Sequence, residues 1–168
     1  RETLWGGFTI DGASAFGLLI AENGLLVVLG TVAVARCMER YDERWAFIGS
    51  SILYGVTMWL FSYATSIIGL MLVMGLFTMA ELMTAGLQQS FVSKLAPENM
   101  RGQYFAAASL RFTIGRMLAP VSLAAATWIG YTWTFLFLGM LALASAGLYA
   151  WMFQQARQQV QRSDISLS

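Results

Sequence analysis

Four ionisable residues lie inside long apolar stretches of this sequence: Glu22, Glu81, Arg111 and Arg116. A charge at the centre of a lipid bilayer costs about 3 kcal/mol even on the most lenient insertion scale, so each is a candidate functional residue. A carboxylate at that depth can take up and release a proton, and an arginine can stabilise its charged form. We therefore treat these four, with Asn23 beside Glu22, as candidates for proton coupling or substrate binding.

The stretches that must position these residues are five apolar spans, each about 20 to 26 residues long and sufficient to cross a hydrocarbon core of roughly 30 Å. The first, third and fourth contain the ionisable residues, whereas the second and fifth contain none. The pattern predicts an all-α membrane protein with a helical bundle over residues 13–153. The predicted spans are 13–35, 45–64, 67–92, 104–129 and 133–153.

Glu81 and Arg116 are predicted to lie at matching depth on consecutive antiparallel helices, each about 18 to 20 Å from the loop between them. An ion pair between them would offset much of the cost of burying both charges. Helical spacing gives each helix one polar stripe, and the two stripes together would form a cavity wall. The stripes are Thr78, Glu81, Ala85 and Gln88 on the third span, and Ser109, Thr113, Arg116 and Pro120 on the fourth.

Each of these residues also has a structural interpretation. A buried pair of Glu81 and Arg116 could pin two membrane helices together without any part in transport. Arg111 lies close enough to the end of its span for its long side chain to reach the interface. Glu22 has only apolar neighbours one turn away, so it either lines a cavity or packs within the bundle.

Basic residues are concentrated on one predicted side of the membrane, which the positive-inside rule assigns to the cytoplasm. This places residues 1–12 in an extracellular or periplasmic segment and residues 154–168 in a cytoplasmic tail. An odd number of spans and the absence of an initiating Met suggest the carboxy-terminal part of a larger protein. The basic residues are Arg36, Arg40, Arg44, Lys94, Arg101, Arg157 and Arg162 on the cytoplasmic side, against Arg1 on the other.

Composition excludes several classes of function. Hydrophobic residues make up 58% of the chain and charged residues 11%, whereas soluble domains are about 25% charged. There is no histidine and a single cysteine, Cys37, which removes the usual metal ligand, general base and intramolecular disulfide. We expect no catalytic residues, no metal site and no nucleic-acid partner; the expected partners are the lipid bilayer of the cell membrane and a small-molecule substrate.

Two predicted cytoplasmic loops carry motifs of a known family. The sequence from Ala35 to Arg44 resembles a degenerate G-x-x-x-D-R-x-G-R loop, with Glu39 and Arg40 in the place of Asp-Arg, but Ala35 and Asp42 stand where glycine is usual. The second loop reads A-P-E-N-M-R-G, similar to the A-P-E-x-x-R-G linker of the same family. Its matching residues include Pro97, Arg101 and Gly102.

Two further segments inside the spans extend the resemblance. The T-M-A-E sequence ending at Glu81 is similar to a T-x-G-E segment, with Ala80 replacing glycine. The stretch from Gly115 to Pro120 resembles a G-x-x-x-G-P motif without the paired glycines that usually follow. In order and spacing over nearly the whole chain, these motifs resemble helices eight to twelve of a major facilitator superfamily transporter, in the drug and proton antiporter branch.

This resemblance implies the C-terminal half of that fold, completed by an N-terminal half and a helix seven that this sequence does not contain. It also implies proton-driven export of small amphipathic or drug-like molecules, with the proton gradient as the energy source and no cofactor. Glu81, with Glu22 as a second candidate, would exchange the proton and Arg116 would stabilise the charged form. The alternative from another class is a membrane scaffold or assembly subunit that transports nothing.

Overall fold

The computed structural model describes five long helices preceded by a short pair of strands. They are β1 (Thr3–Trp5), β2 (Phe8–Ile10), α1 (Gly12–Met38), α2 (Glu43–Tyr63), α3 (Ile67–Leu95), α4 (Arg101–Ile129) and α5 (Tyr131–Ser166), with a 3-10 turn over Glu98–Met100. The described backbone comprises residues 3–5, 8–38 and 40–166. Side chains are described for residues 11–38, 40–85, 87–88, 91–110, 112–155 and 158.

All five helices are long and apolar enough to cross a membrane. Each predicted span coincides with one of them to within a few residues at most ends, and the prediction of an all-α membrane protein with five spans is confirmed. Several helices extend past the predicted ends, whereas α2 ends one residue before its predicted end. α5 in particular continues through the segment that we separated as a tail from residue 154, a segment rich in Gln and other good helix formers.

Local sequence explains where several helices begin and end. The Ser66 hydroxyl accepts a hydrogen bond from the Gly69 N–H at 3.1 Å and caps α3. Pro97 follows the last turn of α3 and leads into the 3-10 turn. Gly130 separates α4 from α5 with φ of 88°, a conformation that residues with a Cβ rarely adopt.

The amino-terminal strands were not anticipated by the sequence prediction. β1 and β2 pair antiparallel, with Trp5 opposite Phe8 and Thr3 opposite Ile10. Aromatic and β-branched residues favour this extended pairing. Six residues are too few to produce a clear alternating pattern, which is why the segment was treated as irregular.

α2 lies at the centre of the described bundle. It packs against α5 along most of its length and also against α3, while α1 packs on α3 and α4 lies mainly along α5. An aromatic cluster joins three of these helices at the end that carries Lys94. Phe47 of α2 stacks on Tyr149 of α5, with ring centroids 5.2 Å apart, and meets Phe91 of α3 edge-on at 6.0 Å.

Candidate functional site

Glu81 is held by a hydrogen-bonded amide from a neighbouring helix. The Nδ2 of Asn23, on α1, donates to Glu81 Oε2 at 3.1 Å and to Thr78 Oγ1 at 3.0 Å. Thr78 is fully buried, and its own hydroxyl donates to the Met74 carbonyl at 2.9 Å. Because a hydroxyl has one proton, Thr78 can only accept from Asn23, which fixes the orientation of the amide. We call these three residues the polar clamp.

The clamp follows from helical spacing on α3. Thr78 and Glu81 are three residues apart and therefore lie on neighbouring positions of one face. That face meets α1, where Gly30 allows a close approach: a Cβ at Gly30 would lie 2.7 Å from the Leu82 side chain. Both amide protons of Asn23 are thus used between two packed helices.

The predicted ion pair between Glu81 and Arg116 is wrong for this structure. Among the described side chains, the salt bridges are Lys94–Glu43 and Arg101–Glu98. Arg116 is exposed on α4, which touches α3 only lightly. Predicted positions on consecutive helices do not bring two residues together when those helices pack only lightly on each other.

Beyond the clamp, Glu81 lines a cavity of about 470 Å³ between α2, α3 and α5, which we call the polar cavity. Ala85 and Gln88 continue its wall along α3, so three of the four residues in the predicted stripe share this cavity. The fourth, Thr78, faces α1 instead. The opposite wall comes from α2 and α5, and includes Ser50, Ser51, Tyr54, Ser145 and Tyr149.

A second cavity of about 260 Å³ lies nearer the Lys94 end and is mostly aromatic; we call it the aromatic cleft. Gln88, Phe112 and Tyr149 line both cavities, so the two are contiguous. Gln88 lies seven residues from Glu81, about 10 Å along α3. Of the predicted stripe on α4, Ser109 lines the aromatic cleft. The cleft is also lined by Phe47, Phe91, Phe105 and Met152.

The other residues predicted inside the spans are not gathered at these cavities. Thr113 is exposed on α4, as Arg116 is. The side chain of Arg111 lies outside the described part of the chain. Glu22 is half-buried on α1, and its Oε2 is fully buried without a hydrogen-bond partner among the described groups. An uncompensated buried carboxyl oxygen of this kind is costly.

The first predicted loop motif is described in part. Glu39 lies outside the described residues, and Arg40 is exposed in a turn between α1 and α2. Arg44 opens α2 and lies over the Trp45 ring, with its guanidinium carbon 5.3 Å from the ring centroid. The Nε of Arg44 is buried and has no hydrogen-bond partner among the described groups.

The second loop motif surrounds the 3-10 turn between α3 and α4. Pro97 and Gly102 are exposed there, and Arg101 approaches Glu98 at 3.9 Å. Lys94, just before this loop, forms an ion pair with Glu43 at the start of α2. That contact places the two motif-bearing loops at the same end of the bundle.

Sequence reasoning missed the hydroxyl residues of the polar cavity. Ser50 and Ser51 are buried on α2, a span that carries no charge and was therefore left without candidates. Thr84 lies one turn from Glu81 on α3 and lines the same cavity. The available signal was the adjacent Ser50–Ser51 pair within an otherwise apolar span, because hydroxyls in membrane helices commonly mark helix contacts or polar sites.

The fold and this site together define a multi-pass helical membrane protein with a carboxylate on the wall of an internal cavity. A family-wide sequence profile of the Major Facilitator Superfamily matches residues 7–165. The chain therefore belongs to the Major Facilitator Superfamily, as its loop motifs suggested.

Individual relatives agree with this assignment. The chain is 51% identical over 146 residues to a Na(+), Li(+), K(+)/H(+) antiporter of Planococcus maritimus, an alignment that covers 87% of this chain and 34% of that protein. It is 18% identical over 120 residues to YqjV of Bacillus subtilis, an uncharacterised transporter of the superfamily, covering 71% of this chain and 27% of the relative. The chain thus spans about a third or less of the length of these relatives.

A solved structure shows the same fold. A POT family transporter, crystallised in complex with a thioalcohol-conjugated peptide, superposes with a TM-score of 0.75 at 17% identity. The superposition covers 92% of this chain and 34% of the transporter. Because these relatives are transporters, the alternative of a scaffold that transports nothing is not favoured.

Proposed function

We propose that this chain forms the last five membrane helices of a longer secondary transporter that exchanges protons for monovalent cations. The observation that carries the proposal is Glu81: a carboxylate within a membrane span, held by Asn23 and lining the polar cavity. The 51% identity to a Na(+), Li(+), K(+)/H(+) antiporter supports monovalent cations as the exchanged substrate. Drug-like molecules, which the motif resemblance implied, become the second candidate.

The exchange follows from the cost of leaving Glu81 charged within the membrane. An isolated charge at bilayer depth costs about 3 kcal/mol, and either a proton or a bound monovalent cation neutralises it. The two compete for the same carboxylate, so binding of one favours release of the other. Suppose that the site can open to the other side of the membrane when Glu81 holds a proton or a cation, but not when Glu81 holds neither. Such a site exchanges protons for cations.

The proposal also assigns an orientation. The positive-inside rule places the two basic loops, between α1 and α2 and between α3 and α4, in the cytoplasm. Their basic residues are Arg36, Arg40, Arg44, Lys94 and Arg101. The Lys94–Glu43 ion pair supports this, because it joins the two basic loops at one end of the bundle. The carboxyl-terminal part of α5 then lies on the cytoplasmic side as well.

The test is Glu81→Gln in the product of the complete gene, measured as sodium-driven proton movement in everted membrane vesicles. Gln keeps the shape of the side chain and can still accept from Asn23, but it cannot ionise. We expect the antiport rate to fall at least about a hundredfold, the lower end of the range for loss of a positioned proton-transfer group.

The matched control is Glu98→Gln, the same substitution at an exposed position in the loop between α3 and α4. It should leave antiport within about twofold, because an exposed pair such as Glu98–Arg101 contributes little. Antiport that persists in Glu81→Gln, with normal amounts of protein in the membrane, would refute the assignment of Glu81.

The second candidate function, export of amphipathic organic cations, is favoured by the aromatic cleft. Its aromatic faces can attract a cation, and Met152 adds an adaptable apolar surface. Phe105→Ala should then weaken efflux of a fluorescent lipophilic cation while leaving sodium–proton exchange intact. If neither the complete protein nor this variant moves such a cation, export of this class is excluded.

A further inference from the structure

We infer that the polar cavity is the binding site for a partly dehydrated monovalent alkali cation, with ligands from Glu81 and from the hydroxyls of Ser50, Ser51 and Thr84. This inference rests on the proposed function and names the residues that would select the substrate. Three of the four ligands come from positions that no motif indicates. The hydrogen bonds of these three hydroxyls, and not only their residue types, support their assignment as ligands.

Each hydroxyl in this set already uses its proton. Ser50 and Ser51 donate to the Phe47 carbonyl at 3.0 and 2.9 Å, and Thr84 donates to the Glu81 carbonyl at 3.0 Å. A hydroxyl has one proton and two acceptor lone pairs. Toward any third group these oxygens can therefore act only as acceptors, which is what a cation requires of its ligands.

The charge of the cavity is also matched to a monovalent cation. Among the described residues that line it, Glu81 is the one acidic side chain and none is a lysine or arginine. One carboxylate neutralises one positive charge. A divalent ion would remain uncompensated, and sites for Ca²⁺ generally supply more carboxylate oxygens.

The polar clamp leaves one carboxylate oxygen for the ion. Asn23 donates to Oε2, and we assign Oε1 to the ion. Neutral hydroxyl and carboxylate oxygens are the hard ligands that alkali and alkaline-earth cations prefer over nitrogen or sulfur. The site therefore combines one anionic oxygen with three oriented neutral ones on two helices, α2 and α3.

The first test measures antiport kinetics for Na⁺, Li⁺ and K⁺ in Ser51→Ala and Thr84→Val of the complete protein. Each variant removes a ligand but leaves Glu81 unchanged. We expect the KM for the cation to rise about fivefold or more, which corresponds to the loss of one ligand that contributes about 1 kcal/mol. The rate at saturating cation should stay within about twofold of that of the parent protein. The preference among the three cations should change as well.

Two hydroxyls on α2 provide matched controls. Thr57 donates to the Tyr54 carbonyl and Ser62 to the Trp59 carbonyl, so both have the same local bonding, yet neither lines the polar cavity. Thr57→Val and Ser62→Ala should leave the KM unchanged. If the ligand variants behave like these controls while Glu81→Gln abolishes exchange, the cation site is refuted and the proposed function stands.

A second test needs no transport. The rate at which a hydrophobic carbodiimide modifies Glu81 is followed by mass spectrometry in the purified complete protein, with and without Na⁺. Bound Na⁺ should slow modification of Glu81 and not that of Glu22, and the protection should weaken in Thr84→Val. Equal modification with and without Na⁺ would overturn the inference, whether or not the variants are active.

Discussion

The Nδ2 of Asn23 lies 3.1 Å from Oε2 of Glu81, so a neutral amide on α1, rather than an arginine on α4, meets the carboxylate. Asn23 and Glu81 are 58 positions apart in sequence. The Thr78 hydroxyl uses its proton on the Met74 carbonyl and can only accept from Asn23. The amide must therefore turn its Nδ2 toward Thr78, and the same Nδ2 then reaches Glu81. The contact links α1 to α3 through the Glu81 carboxylate, and the proposed exchange changes the ionisation of that carboxylate.

Replacing Asn23 should weaken the association of α1 with α3. Asn23→Leu preserves much of the side-chain volume but removes both donors, leaving Thr78 and Glu81 without this partner. Interhelical hydrogen bonds in membranes contribute about 0.6 to 2 kcal/mol, and we expect a loss of stability in that range. Thermal unfolding of the purified protein in detergent measures it.

A double-mutant cycle separates the hydrogen bond from packing. Thr78→Val removes the other half of one contact, so Asn23→Leu should cost less in the Thr78→Val background than in the parent. Thr78→Ser keeps the hydroxyl and serves as the control. Strictly additive effects of Asn23→Leu and Thr78→Val would contradict an energetic link between the two side chains.

A second prediction concerns the crossing of α2 and α5. A Cβ at Gly139 would overlap the Trp59 indole and lie 3.0 Å from the Gly55 carbonyl oxygen. Gly139→Ala must therefore push the helices apart or displace Trp59, and overpacking of this kind costs about 1 to 3 kcal/mol. The unfolding midpoint in detergent should fall accordingly.

Gly147 offers a control on the same helix. No atom lies within 4 Å of the position that its Cβ would occupy. Gly147→Ala should leave the midpoint unchanged or raise it slightly, since Ala is the better helix former. Equal losses in Gly139→Ala and Gly147→Ala would show that glycine content, rather than the contact at Trp59, sets the stability of α5.

A third prediction concerns Asp11, which precedes α1 and accepts the Ser14 N–H at 3.3 Å. The Ser14 side chain, and then its backbone N–H, lower the pKa of the Asp11 carboxyl below its usual range. The folded pKa is thus below the unfolded one. The stabilising effect of the charged cap is complete above the unfolded pKa and is lost as the pH falls through the folded pKa.

An NMR titration of the Ser14 amide in detergent micelles tests this cap. The resonance should shift with a midpoint below that of an ordinary aspartate. Asp11→Asn keeps a capping side chain but cannot titrate, so it should abolish the shift while preserving the first turn of α1. A midpoint at or above the ordinary value would contradict the hydrogen bond.

The five membrane helices could be predicted well from the sequence, whereas the two short strands and the single contacts could not. A run of about 20 apolar residues must become a helix in a membrane, because backbone groups have no other partners there. That requirement is local and is met by composition alone. Arg116 shows the limit: its place in the fourth span could be assigned from the sequence, but whether it meets Glu81 depends on how α4 packs on α3.

In the candidate site, too, one residue could be predicted from the sequence and its neighbours could not. Glu81 could be identified from its type and position, because an acidic residue inside a span is costly wherever it points. Its neighbours could not, since Asn23, Ser51 and Thr84 are common polar residues whose role depends on what they face. Ser50 and Ser51 lie in a span without charge, and only the packing of α2 on α3 brings them to the cavity of Glu81.

By itself, the sequence determined that this protein lies in a lipid bilayer, that it has five spans, and that its loops carry the motifs of its superfamily. These depend on residue composition and on short stretches of neighbouring residues, both of which are readable along the chain. The tertiary structure decided that Glu81 pairs with Asn23, that Arg116 is exposed on α4, and that Ser50, Ser51 and Thr84 line one cavity with Glu81. Such pairings depend on the rotation and crossing of whole helices, which many small packing contacts set together.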